Sequence, residues 1–170
     1  MPLLPPETFL SPEDLLDRPP GEMPAGGQWW ALHTRPRAEK VLARKFLGRG
    51  LAFYLPVHRR QWRTRGRLFS SHRPLFPGYV FLHGDGHARL HALETNAVVR
   101  CLPVADHAQL QEDLLRVRRL IASGTSLTPE ARLRPGSRVE VVAGPLAGMQ
   151  GKVLKAGKRL KFLVEVRFLQ

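Results

Sequence analysis

Residues 28–84 carry twelve Lys and Arg against one acid, Glu39, so a third of the chain holds +11 of a total net charge of +13. Such a stretch folds only if its bases go to the surface and its apolar residues gather between them. The compact state then works against its own repulsion unless a polyanion relieves it. Nucleic acid is the default partner for such a field. An acidic protein surface competes with it, as does the plain reading of a solvated basic face. Anionic membrane fits less well, because no basic amphipathic helix rich in Trp and Leu accompanies the block. The other stretches are milder: 1–27 sums to −4, 85–134 to +1 and 135–170 to +5.

Other features narrow the class. A chain of 170 residues allows one ordinary domain or two small ones, and a 43% hydrophobic content supports real cores. No apolar run approaches the roughly 20 residues that span a bilayer. The first residues have neither the basic nor the apolar region of a secretory signal. A soluble monomer of a reducing compartment, with no membrane partner, is expected. The single cysteine, Cys101, rules out an intramolecular disulfide framework and a Cys-cluster zinc site. Between Val99 and Leu102 it is expected to be a buried, inert thiol. His83, His87 and His91 recur every four residues, as metal ligands on a helix face would, but Gly84 and Gly86 interrupt that helix. No phosphate loop and no hydrolase or metalloprotease motif is present. No catalytic residue, metal or cofactor is expected, and the chain does not read as an enzyme.

Along the chain, residues 1–27 are acidic and proline-rich and read as a disordered leader, with one helical turn over Leu15 and Leu16. Trp29–His33 reads as a buried strand, after which Thr34 and Pro36 suit the opening of a helix over Ala38, Val41, Leu42 and Phe46 that ends at Gly48 and Gly50. Leu51–Pro56 is a strand, and residues 58–73 form an arginine-rich hairpin turning at Gly66. A strand over Leu75–Leu82 enters through a Pro-Gly bend. A short helix over Arg89–Glu94, a strand over Val98–Val104 and a helix after Asp106 bearing Leu110, Leu114, Val117 and Ile121 follow. The order is β-α-β-β-β-α-β-α, an α+β sandwich over 28–122. Residues 123–134 are a linker. Short strands around a Gly/Pro-rich bend over 135–170 suggest a small all-β, SH3-like barrel.

Two clusters carry functional signal. Six arginines lie between residues 59 and 73. Guanidinium groups bind phosphate bidentately and stack on bases, so this finger suits a nucleic-acid backbone or a splayed single strand. Trp62 and Phe69 could stack bases or pack under the hairpin; packing is expected for one of them, and the role of the other stays open. Phe76, Tyr79 and Phe81 form an aromatic cluster. Each ring alone would be core, but together on an uncovered face they would make a protein-binding patch.

The runs Trp29–Glu39, Leu75–Phe81 and Pro135–Val153 together resemble the NusG family of transcription elongation and antitermination factors. The resemblance implies an NGN domain with an antiparallel sheet and flanking helices, a linker, and a KOW barrel. Family barrels usually have five strands, and about three are legible here. The aromatic patch Phe76, Tyr79 and Phe81 would dock on the β′ clamp helices of RNA polymerase, and Arg89, Leu90 and His91 would face the β subunit. Arg35, Arg37, Lys40 and Arg44 with Arg63, Arg65 and Arg67 would touch the non-template DNA strand. Leu146 and Met149 would hold a ribosomal protein or a termination factor on the KOW domain. The resemblance implies a bacterial, cytoplasmic protein that suppresses pausing, and the charge pattern suggests a specialised paralogue. The alternative from another class is an RNA-binding or ribosome-associated KOW module.

Overall fold

The computed structural model describes residues 7–19, 22–23, 26–124, 138–140, 150–156 and 159–164, and the chain divides into two compact units, 1–108 and 109–170. In chain order the elements are β1 (Leu10–Ser11), β2 (Gln28–Thr34), α1 (Glu39–Gly48), β3 (Ala52–Tyr54), β4 (Val57–Thr64), β5 (Arg67–Pro74) and β6 (Tyr79–Gly84). Then come α2 (Gly86–Glu94), β7 (Val98–Pro103), α3 (His107–Ser123), β8 (Arg138–Glu140), β9 (Gln150–Ala156) and β10 (Arg159–Val164).

The first unit is α+β, built on an antiparallel five-stranded sheet of order β1-β3-β6-β2-β7. Strand alternation sorts its side chains onto two faces. Leu32, Phe53, Val80 and Leu82 share one face, which packs with Leu42, Ala43 and Phe46 of α1 and Ala88 and Ala92 of α2 in a single cluster. Trp29, Ala31, Tyr54 and Phe81 lie on the other face and are also buried. A sheet buried on both faces explains why β2 and β6 read as continuous apolar runs.

Four expectations change. The segment after α1 holds four strands rather than three, because the arginine-rich hairpin contributes two. Thr34 does not open the helix: it ends β2, where its backbone N–H donates to the Gly78 carbonyl at 2.8 Å. α1 starts five residues later, at Glu39, with no side-chain cap. The leader is not structureless where it is described. Leu10 and Ser11 pair with Tyr54 and Phe53 at the sheet edge, and Leu15 and Leu16 are buried in the turn that follows. Two apolar side chains removed from water outweigh the local preference of a proline-rich stretch for extended, solvated chain. Cys101 is half-buried rather than enclosed.

β4 and β5 form a separate two-stranded antiparallel sheet, in register from Val57↔Pro74 to Thr64↔Arg67. Its turn residues Arg65 and Gly66 both have positive φ, 50° and 76°. That is the signature of the two-residue turn whose twist matches a hairpin. In the second unit β8, β9 and β10 make a three-stranded antiparallel sheet, β10-β9-β8, with Val139 opposite Gly151 and Val153 opposite Phe162.

Candidate functional site

The bend before β6 is fixed from several sides. Gly78 has φ +84°, a conformation that L side chains rarely adopt. Its N–H donates to Glu39 Oε1 at 2.7 Å, and the Tyr79 N–H donates to the Phe76 carbonyl at 3.1 Å. Glu39 is only 7% exposed, so the sole acid of the basic stretch serves as an internal tie. Phe76 and Tyr79 are half-buried, and Tyr79 lies beside His33 with ring centroids 5.2 Å apart.

Phe81 corrects the expected patch. It is 0% exposed, in the middle of the central strand between Ala31 and Tyr54, with the Phe76 ring edge-on at 6.0 Å. Phe81 therefore supports Phe76 from below and is not a surface ring. The accessible cluster is Phe76, Tyr79 and His33. The sequence alone does not single out His33, because it sits inside a strand among apolar core residues.

Beside this bend lies a basic groove of about 480 Å³ between the start of α1 and the base of the hairpin. Arg37, Lys40, His58, Arg60 and Arg73 line it, with Glu39, Pro74, Leu75 and Pro77. Arg37 and Lys40 were expected in a nucleic-acid set, whereas His58, Arg60 and Arg73 enter only because the fold brings the hairpin base to the helix. Arg35 and Arg44 do not line the groove. Arg44 is instead held by Glu7, which also pairs with Lys40: Lys40 Nζ donates to Glu7 Oε2 at 3.0 Å and Arg44 Nη2 donates to Oε1. These two cations keep the Glu7 carboxyl below the usual carboxylate range. Lys40 Nζ also sits 5.6 Å from the centre of the Phe9 ring.

The hairpin separates the other three arginines. Alternation places Arg67 on the face of Arg60 and Arg73, places Arg63 on the opposite face with Arg59, and leaves Arg65 in the turn. Neither Trp62 nor Phe69 packs beneath the hairpin. They sit directly across from each other, stacked at 5.8 Å with 18° between ring planes, and are 40% and 43% exposed.

The residues expected to face a second partner are largely engaged. The Arg89 guanidinium lies 5.5 Å from the centre of the Trp30 ring. His91 Nδ1 is 3.2 Å from Glu94, and Arg49 donates to the His91 carbonyl at 3.1 Å. Leu90 is 53% exposed. α2 itself begins at Gly86 because Asp85 accepts the Ala88 N–H at 2.9 Å, so the histidine triad is split: His83 is buried in β6 while His87 and His91 are exposed on the helix. Burial raises the Cys101 thiol, leaving it protonated at neutral pH. Leu146 and Met149 lie outside the described residues.

Among solved structures, the chain is similar to one described as "Domain interaction in Thermotoga maritima NusG", at 18% identity and TM-score 0.49, covering 83% of this chain and 88% of that one. It is also similar to "Crystal Structure of MjSpt4:Spt5 complex conformation B", at 17% identity and TM-score 0.28, covering 83% and 86%. No curated protein matches the sequence. The family model described as "Transcription termination factor nusG" matches residues 27–119, more than half of the 170, and the chain belongs to the NusG family of transcription factors.

Proposed function

We propose that this chain is a transcription elongation and antitermination factor that holds RNA polymerase through residues 28–122, an NGN domain. Phe76 and Tyr79 would dock on the β′ clamp helices, with Leu90 and its neighbours toward the β subunit. The observation that carries this reading is a pair of half-exposed aromatic rings, Phe76 and Tyr79, on a bend tied by Glu39 and Thr34. Rigid aromatic anchors dominate protein interfaces because they order little on binding. A body touching both sides of the polymerase cleft binds the closed clamp better than the open one, and only that differential affinity can draw the enzyme away from paused states. No bond is made or broken in this mechanism. The groove of Arg37, Lys40, Arg60 and Arg73 would lie along the exposed non-template strand. Residues 135–170 would form a KOW barrel that recruits a ribosomal protein or a termination factor through Leu146 and Met149, with 123–134 as the linker. The protein would act as a monomer in the bacterial cytoplasm, as a specialised paralogue.

The test is binding to purified RNA polymerase core enzyme together with a pause-escape assay. Phe76→Ala and Tyr79→Ala should each weaken binding about ten-fold or more and remove the effect on pausing. Wild-type affinity in both variants would refute the reading. Salt-sensitive binding to RNA with no affinity for polymerase would replace it with an RNA-binding module.

A further inference from the structure

We propose that the exposed face of the hairpin carrying Trp62 and Phe69 is a base-stacking platform for single-stranded DNA, continuous with the basic groove at its base. The placement rests on register. His58–Arg73, Arg60–Ser71, Trp62–Phe69 and Thr64–Arg67 are successive cross-strand rows on one face. His58, Arg60 and Arg73 already line the groove. Same-face rows are about 6.7 Å apart, so the track from the groove to the turn runs for about 20 Å. It reads as cations, then two stacked rings, then Arg67.

Among the described residues no second layer buries the rings of the hairpin, and β4 and β5 have almost every residue exposed. Two aromatic rings at 40% and 43% exposure gain from a further ring laid on the stack. A nucleobase is a flat ring tethered to phosphate, so it would cover the rings and bring an anion to the arginines beside them. The charge around the rings selects that occupant. Residues 57–74 hold six arginines and no acid, so a cationic partner is repelled and an anionic one is drawn in. Single strands offer unpaired base faces and flexible phosphates together, whereas a duplex keeps its faces stacked inside. The choice of DNA rests on the reading of the chain as a polymerase-bound factor. The platform itself does not, because it is tested with no polymerase present.

The experiment measures fluorescence anisotropy of a labelled oligothymidine with the full chain across a salt series, alongside an oligouridine and a DNA duplex of equal length. Trp62→Leu and Phe69→Leu keep apolar bulk and remove the π-face. Each should weaken oligothymidine binding about ten-fold with an unchanged salt slope. Trp62→Phe should restore most of the affinity, which shows that a folded hairpin is being measured. Arg60→Gln should instead lower the salt slope by about one. Wild-type affinity in both Leu variants would overturn the platform, as would an equal ring-dependent loss on the duplex. A larger ring-dependent loss on oligouridine would overturn the assignment to DNA. Oligothymidine binding is read with no polymerase present, so loss of the polymerase reading and loss of the platform are separable.

Discussion

The Glu39 carboxylate, in the first turn of α1, accepts the backbone N–H of Gly78 at 2.7 Å across 39 residues of chain. Through this bond the helix that lines the basic groove also holds the bend that presents Phe76 and Tyr79. A buried donor that loses its partner costs about 1–3 kcal/mol. Glu39→Ala should therefore lower the unfolding free energy by that amount, read as a lower urea midpoint at an unchanged m-value, while Glu39→Gln, which still offers an oxygen, should lose less. Equal losses in both variants would show that the bond to Gly78 is not the stabilising contact. Gly78→Ala should cost about 1–2 kcal/mol, since alanine at φ +84° is strained.

Phe76 and Phe81 touch edge to face, yet their substitutions should separate stability from binding. Phe81→Ala opens a cavity in the central strand and should cost about 3–5 kcal/mol in chemical denaturation. Phe76→Ala should cost well under that and act mainly on polymerase affinity. If Phe76→Ala proved as destabilising as Phe81→Ala, Phe76 would belong to the core and not to an interface.

Glu7 pairs with both Lys40 and Arg44, two cations of the proposed nucleic-acid surface. Glu7→Gln removes the charge that holds these cations and should tighten binding to a single-stranded oligonucleotide a few-fold at low salt, with a steeper salt slope. Unchanged affinity and slope would mean that neither cation reaches the nucleic acid.

His83 is packed edge-on against Trp29 at 5.1 Å, and burial, then the nearby His107 and Arg18, hold its pKa below the ordinary 6.5. The folded state thus binds fewer protons than the unfolded state. Stability should be full above pH 6.5 and decline as the pH falls through the lowered folded value. Glu7 has its carboxyl lowered from 4.5, so its ion pairs persist through the upper part of that window and fail only at more acid pH. Thermal melts from about pH 8 to pH 5 should show the His83 decline, and His83→Gln should flatten it. A flat profile in the wild type would exclude His83 as its source.

What was legible in the sequence was local. Alternation and apolar runs placed β2, β6 and α1, and Gly66 placed the hairpin turn, because strand period, helix period and positive φ are set by a few neighbouring residues. The paired motifs around Leu75–Tyr79 and Gly144–Lys152 were sufficient for the family resemblance. Four outcomes needed the fold. Phe81 became core because strands lie on both sides of it, and the stretch Leu10–Leu16 of the proline-rich leader joined the fold because Leu15 and Leu16 found burial. Lys40 and Arg44 acquired Glu7, more than 30 residues away in the chain. The hairpin divided its arginines between two faces and paired Trp62 with Phe69. Each depends on which distant segment arrives as a neighbour. A sequence states which residues are apolar or charged, but only tertiary packing decides which of them remain in water.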